Sequence, residues 1–187
     1  TAEVDDVGVR HGRLVEFEKA RSANAGLPLV NYLVGDALMR GKSDWAGAAA
    51  AFEAELERNP NHYEANVLLG TLLLEGGHLE AALPRLELAA RLRGNDLSVK
   101  YPLGAAYLAA GRLGEARSLL EAMSKAAPNH QATQFKLAVL YTRLADQARA
   151  NASKLQKEAD SRAFEGGMDI VTDVLERLAT PGVEPTN

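Results

Sequence analysis

LLGTLLLEGGHLEAALPRL, residues 68–86, is followed one fixed step later by PLGAAYLAAGRLGEARSLL, residues 102–120. Gly70 recurs as Gly104, Leu73 as Tyr107, Leu79 as Leu113, Ala82 as Ala116 and Leu86 as Leu120, each 34 residues on. One step of this size marks a small unit copied and stacked, since each copy alone cannot bury its oily face. The first half of the unit, 65–75, has apolar residues at helical spacing and stops at Gly76-Gly77, a terminator that tolerates positive φ. The second half, 79–93, sets Leu79, Ala82, Leu83, Leu86 and Ala89 on one stripe at i, i+3, i+4, i+7 and i+10. Gly70 and Ala82 are small where the two helices must approach closely. No strand-like alternation of useful length appears in the sequence.

Outward from this pair the period weakens at both ends. Trp45, Ala48, Phe52 and Pro60 stand 34 before Leu79, Ala82, Leu86 and Gly94, but Gly35 precedes Gly70 by 35, so the first turn holds one extra residue. Asp44 or Ser43 is a good N-cap for the helix that follows. Trp45 is expected to plug the gap between neighbouring repeats rather than to hold a ligand. Upstream, 9–23 reads as a helix with Leu14 and Phe17 on one side, in the manner of the second helix of a worn repeat, after a frayed start at 1–8. Pro28 suits a first helical turn, and Pro84 and Pro102 predict local bends.

Downstream, Leu137, Ala138 and Tyr141 lie 34 beyond Leu103, Gly104 and Tyr107, and then the stripe thins. Two structures compete for 132–163: a turn near 144–147 closing a fourth hairpin, or one long helix. The hairpin is favoured, because Leu137 and Tyr141 otherwise lose a partner helix. Gly166-Gly167 should break the chain before a last helix, 168–179, that caps the array with a polar outer side. The expected organisation is 1–27 tail and helix, 28–61, 62–96 and 97–130 as three repeats, 131–163 as a degenerate fourth, and 164–187 as capping helix and tail.

These residues resemble the tetratricopeptide (TPR) repeat, whose pattern runs W-x2-L-G-x2-Y, A-x3-F, P. Leu69-Gly70-x2-Leu73 and Ala82-x3-Leu86 match in one unit; Leu103-Gly104-x2-Tyr107, Ala116-x3-Leu120 and Pro128 match in the next. Asn66 and Lys100 replace the leading Trp, and Gly94 the closing Pro. The wording between the repeats looks like bacterial multi-repeat members. The resemblance implies an all-α solenoid, a right-handed superhelix of antiparallel helix pairs, whose first helices line a concave side that holds other proteins.

Composition agrees. In 187 residues, 21 basic and 25 acidic side chains leave a net charge of −4 with no basic block, which argues against a nucleic-acid partner. No apolar run reaches the ~20 residues of a membrane span. With no cysteine there is neither a disulfide framework nor thiol chemistry. The start at Thr1, without a signal peptide, suits a processed exported bacterial protein or a cloned fragment, and cytoplasm stays open.

A binding face follows from helix angles. Leu69 and Leu73 face their own second helix, so Val67, Thr71 and Leu74, about 160° round, should be wet although largely apolar. The equivalents are Tyr32, Asp36 and Met39 in the first unit, Tyr101, Ala105 and Leu108 in the third, and Phe135, Val139 and Thr142 in the last, with Lys136 and Arg143 as the cations able to meet an acid. The row Tyr32, Val67, Tyr101, Phe135 then forms an apolar groove for a partner segment, unless superhelical curvature or the N-terminal segment covers it. A self-assembling piece or a carrier of a small apolar ligand are the rival readings. No histidine pair has i, i+4 ligand spacing and no Gly-rich loop follows a strand, so neither a metal nor another cofactor, nor catalysis, is expected.

Overall fold

The computed structural model describes residues 2–179 except 25, 28, 42 and 95, and side chains from 12 to 176 with the same gaps. Its described residues form eight helices and no strand: α1 (Ala2–Ala23), α2 (Val30–Gly41), α3 (Trp45–Arg58), α4 (Tyr63–Glu75), α5 (Leu79–Leu92), α6 (Leu97–Ala109), α7 (Leu113–Ala126) and α8 (Gln131–Ala179). The chain divides into two units, Thr1–Leu140 and Tyr141–Asn187.

In the first unit the hairpins α2–α3, α4–α5 and α6–α7 are the closest-packed pairs, and each stacks on the next through α3–α4 and α5–α6. The hairpins close because a glycine allows a near-touching approach. A Cβ on Gly35, Gly70 or Gly104 would fall 2.6, 2.7 or 3.0 Å from the side chain of Phe52, Leu86 or Leu120. Those three large residues are fully buried, one turn along the same helix from the equally buried Ala48, Ala82 and Ala116. The hairpin turns repeat as well: Gly77 and Gly111 hold φ of 80° and 74°. After them, His78 N–H donates to Leu73 C=O and Arg112 N–H to Tyr107 C=O, so orphan carbonyls at the helix end are satisfied.

Three of the helices start on side-chain caps. Asp44 accepts from Gly47 N–H before α3, His62 Nδ1 from Ala65 N–H before α4, and Asp96 from Ser98 N–H before α6. Asn66, fully buried, donates to the carbonyls of Pro60 and His62 and ties the inter-repeat turn to α4. Gln134 does the same for Pro128, two periods on.

Four expectations are corrected. Helix α1 begins at Ala2 rather than near residue 9, and packs on α2 with Leu14 buried against Val34 and Leu38. Trp45 does not plug a gap: as the first residue of α3, after the longer turn, it stays 53% exposed. No turn interrupts 144–147, and Gly166-Gly167 does not break the chain, so the separate hairpin arm and the separate capping helix are both replaced by α8. The physical reason is composition: Ala, Gln, Lys, Arg and Glu dominate 144–165, and once a helix is nucleated such residues extend it more cheaply than they stop it. Pro84 and Pro102 do lie inside α5 and α6. Pro28, proposed for a first turn, lies outside the described residues.

Candidate protein-binding face

The predicted row of first-helix residues is split by the structure. Val67 is buried with Tyr63, Ala89 and Val99, and Leu74 packs against Leu86, Leu103 and Ala106. Ala105 and Leu108 are buried too. The cause is the next repeat. Helix α6 packs on α4 as well as on α5, so part of the face that a single hairpin would leave wet is covered by its successor. Thr71, half-buried, turns its hydroxyl onto the Val67 carbonyl at 2.8 Å.

The other predicted residues stay nearer the surface. The Tyr32 ring lies 6.0 Å from that of Phe52 and 4.9 Å from the His62 imidazole, and its half-buried hydroxyl has a raised pKa, first from burial and then from Asp36 and Glu64. Asp36 accepts from Arg40 at 2.7 Å. Tyr101 stands edge-on to His130 at 5.2 Å between centroids. Phe135 is 66% exposed, with Lys136 and Val139 half-buried on the same helix. Arg143 is exposed and belongs to the second unit.

What lies open on α2 and α4 is the strip one residue further round. A hollow of about 190 Å³ is lined by Tyr32, Arg40, Tyr63, Glu64, Val67, Leu68 and Ser98. A second, of about 420 Å³, is lined by Met39, Arg40, Trp45, Leu68, Thr71, Leu72 and Glu75. Arg40 and Leu68 line both, so the two hollows are neighbours. Sequence reasoning missed Arg40, Glu64 and Glu75, although Glu64, Leu68 and Glu75, at i, i+4 and i+11, form a helical stripe in their own right. The signal was present, but choosing it required knowing how far α6 encroaches.

The rim is held by an ion pair within the second repeat and by a hydrogen bond from that repeat to the next. Arg93 donates to Glu64 at 2.6 Å and lies over the Tyr63 ring at 4.5 Å, while the Tyr63 hydroxyl meets Ser98 Oγ at 3.1 Å. Burial alone would raise the Glu64 pKa. The backbone hydrogen bond it accepts, the bond from Arg93 and the charge of Arg93 together outweigh that and hold it below the usual carboxylate value. A larger hollow of about 510 Å³ lies on the second-helix side, lined by Glu53, Pro84, Arg85, Leu88 and Arg91 among others. Among the described residues no group of three or more acidic or histidine side chains is placed to hold a metal ion, and no helix is long and apolar enough to cross a membrane. His62 and His130 are engaged in capping, His62 Nδ1 to Ala65 N–H and His130 Nδ1 to the Thr133 hydroxyl and N–H.

Stacked helical hairpins with a side-chain-lined trough on their first helices define a solenoid of the protein-interaction type. The tetratricopeptide repeat profile matches residues 37–101 and 77–140, more than half of the sequence, and the chain belongs to that family. Solved structures agree in fold. YrrB, described as a TPR protein with an unusual peptide-binding site, is 24% identical with a TM-score of 0.66, over 77% of this chain and 74% of that one. MamA from Desulfovibrio magneticus RS-1 is 24% identical with a TM-score of 0.66, over 76% and 80%. The first TPR domain of human RPAP3 is 18% identical with a TM-score of 0.56, over 65% and 95%. No curated protein matches the sequence.

Proposed function

We propose that this chain is a non-enzymatic module that holds an extended segment of a partner protein in the trough of α2 and α4. The observation that carries the reading is that two neighbouring hollows share Arg40 and Leu68 in their lining. Met39, Leu68 and Leu72 give an apolar floor, Tyr32 and Trp45 aromatic walls, and Arg40, Glu64 and Glu75 a charged rim. Such a surface suits a segment with apolar side chains for the floor and a basic side chain for Glu75. The rim argues against a carrier of a purely apolar ligand. Tyr101 and Phe135 would extend the same face, and the likeness to a TPR protein with a peptide-binding site supports the class of ligand.

The test uses a random nonapeptide display library on the immobilised chain, in wild-type and Leu68→Asp forms. The single Trp45 lines the trough and reports directly on its filling. Peptides enriched on wild type should bind it at least ~10-fold more tightly than Leu68→Asp, a difference of ~1.4 kcal/mol, and should shift Trp45 emission. Peptides that bind both forms alike, or that leave Trp45 emission unmoved, would place recognition elsewhere. A library that yields no binder would count against the reading too.

A further inference from the structure

The second helices of the three full repeats match every 34 residues, and one of those matches changes in kind. Position 55 in α3 recurs as 89 in α5 and 123 in α7, and all three are buried. Ala89 and Met123 are apolar, as an inward-facing place requires, whereas Glu55 is a carboxylic side chain with 4% of its residue surface exposed. Among the described residues no hydrogen bond or ion pair reaches that carboxylate. A carboxylate buried without a partner costs folding free energy that alanine or methionine at the same place would not.

Glu55 is covered but not sealed. Among the described residues Asn66 Oδ1 is the one side-chain polar atom both shut off from solvent and unbonded, so the Glu55 oxygens, also unbonded, open to the surface. The opening is a hollow of about 260 Å³ lined by Gly26, Leu27, Leu29, Glu55, Arg58 and Asn59. A longer turn makes room for it. Six residues, 24–29, join α1 to α2, against four at each of 59–62, 93–96 and 127–130. Asn24 braces this turn, its Oδ1 accepting from Gly26 N–H at 2.8 Å and its carbonyl from Leu27 N–H at 3.1 Å. All six lining residues belong to the unit Thr1–Leu140, and none of them lines the α2–α4 trough, so neither site depends on the other.

The lining carries two opposite charges that do not touch. Arg58 stands three residues after Glu55 on α3, yet its guanidinium lies by the turn, Nη1 falling 3.6 Å from where a Gly26 Cβ would sit, and makes no ion pair with Glu55. A ligand of one sign satisfies one of these groups and repels the other. A zwitterion satisfies both. We propose that the hollow is a binding site for a free α-amino acid with an aliphatic side chain. Its ammonium meets the Glu55 carboxylate, and its carboxylate meets the Arg58 guanidinium, whose planar fork suits that group. Its side chain lies against Leu27 and Leu29, which are 41% and 44% exposed while the hollow is empty. At about 260 Å³ the hollow is smaller than the ~300–1,000 Å³ typical of sites for drug-sized ligands, which fits so small a molecule.

Isothermal titration calorimetry of the full chain with L-leucine is expected to show saturable binding at one site. N-acetyl-L-leucine lacks the ammonium, L-leucinamide the carboxylate and glycine the side chain, and each should bind at least ~10-fold more weakly. Glu55→Gln, nearly the same shape, and Arg58→Met, at an exposed position, should weaken L-leucine by a similar factor with unchanged far-ultraviolet circular dichroism. A second measurement addresses Arg58 swinging onto Glu55 in the free chain. Glu55→Met, which installs the residue of the third repeat, should abolish binding and raise the melting temperature without ligand, because it removes an unpaired buried charge at similar volume. A lower melting temperature for Glu55→Met would mean that Glu55 is paired within the chain, and the proposal falls. It falls equally if L-leucine gives no saturable heat, if any of the three analogues binds as tightly, or if Glu55→Gln or Arg58→Met binds like wild type.

Discussion

Gly70 and Leu86 meet at a distance that leaves no room for one more methyl, and that contact sets the closeness of the α4–α5 hairpin. Adding the methyl brings two opposed effects. Gly→Ala within a helix gains roughly 1 kcal/mol of propensity, whereas forcing a Cβ against the fully buried Leu86 costs about 1–3 kcal/mol of overpacking. Gly70→Ala is therefore expected to destabilise. Leu86→Val, which leaves a methyl-sized void, should cost about 1 kcal/mol by itself. Combined, the void left by one should accept the methyl added by the other. Urea unfolding of the four proteins in a double-mutant cycle should then show the double variant more stable than the sum of the singles by ~1 kcal/mol or more. Additivity within ~0.5 kcal/mol would mean that the two side chains do not feel each other, and the size argument would fail.

At the level of single helices, caps and terminators decide where each element stops. Helix α6 starts on Asp96, whose carboxylate accepts from the Ser98 hydroxyl at 2.6 Å and from Ser98 N–H at 2.9 Å. The hydroxyl bond, then the backbone bond, then Tyr63 hold its pKa below the ordinary 3.8. A depressed carboxylate adds stability above its unfolded value and loses it as pH falls through the folded one. Wild-type melting temperature should therefore fall below about pH 4, and Asp96→Asn, which still caps but cannot titrate, should fall less steeply over the same range. Helix α8 tests the other end of the problem. Gly166 and Gly167 are not among the glycines at positive φ, and a Cβ on either meets nothing within 4 Å. Ala at both should add ~0.5–1 kcal/mol per site to local helicity and slow amide exchange across 160–172. Faster exchange there would mean that the glycines form the turn a local reading gives them. That reading failed because Gly-Gly is a terminator only where the flanking residues stop favouring helix; Gly76-Gly77 ends α4 with the α5 stripe packed back on it, whereas α8 continues through Gly166-Gly167.

The same division, local against neighbour-dependent, runs through the whole molecule. The 34-residue step, the hairpins and their glycine contacts were legible because each arises within one unit. The open face was not, since Val67, Ala105 and Leu108 are covered by the adjoining repeat, and the half-buried Leu68 and the exposed Arg40 stand one position along. Stacked repeats hold together only through nearest neighbours, and this gives the last expectation. Leu14 in α1 and Leu86 in α5 are both buried to within 1%, and truncating either to Ala removes similar packing, nominally about 2–5 kcal/mol. Their consequences should differ with position. Leu14 ties α1 to the array through Val34 and Leu38, so its loss can cost no more than the detachment of that one helix. Leu86 joins Leu103 and Ala106 across the boundary between α5 and α6, so its loss weakens both neighbours at once. Native-state hydrogen exchange should show Leu14→Ala raising exchange in α1 alone, with the rest of the repeats unfolding at nearly the wild-type denaturant midpoint. Leu86→Ala should raise exchange from α4 through α6 and lower the midpoint of the whole transition. Equal midpoints for the two variants would mean that the unit folds as one cooperative globule, in which position along the array has no meaning.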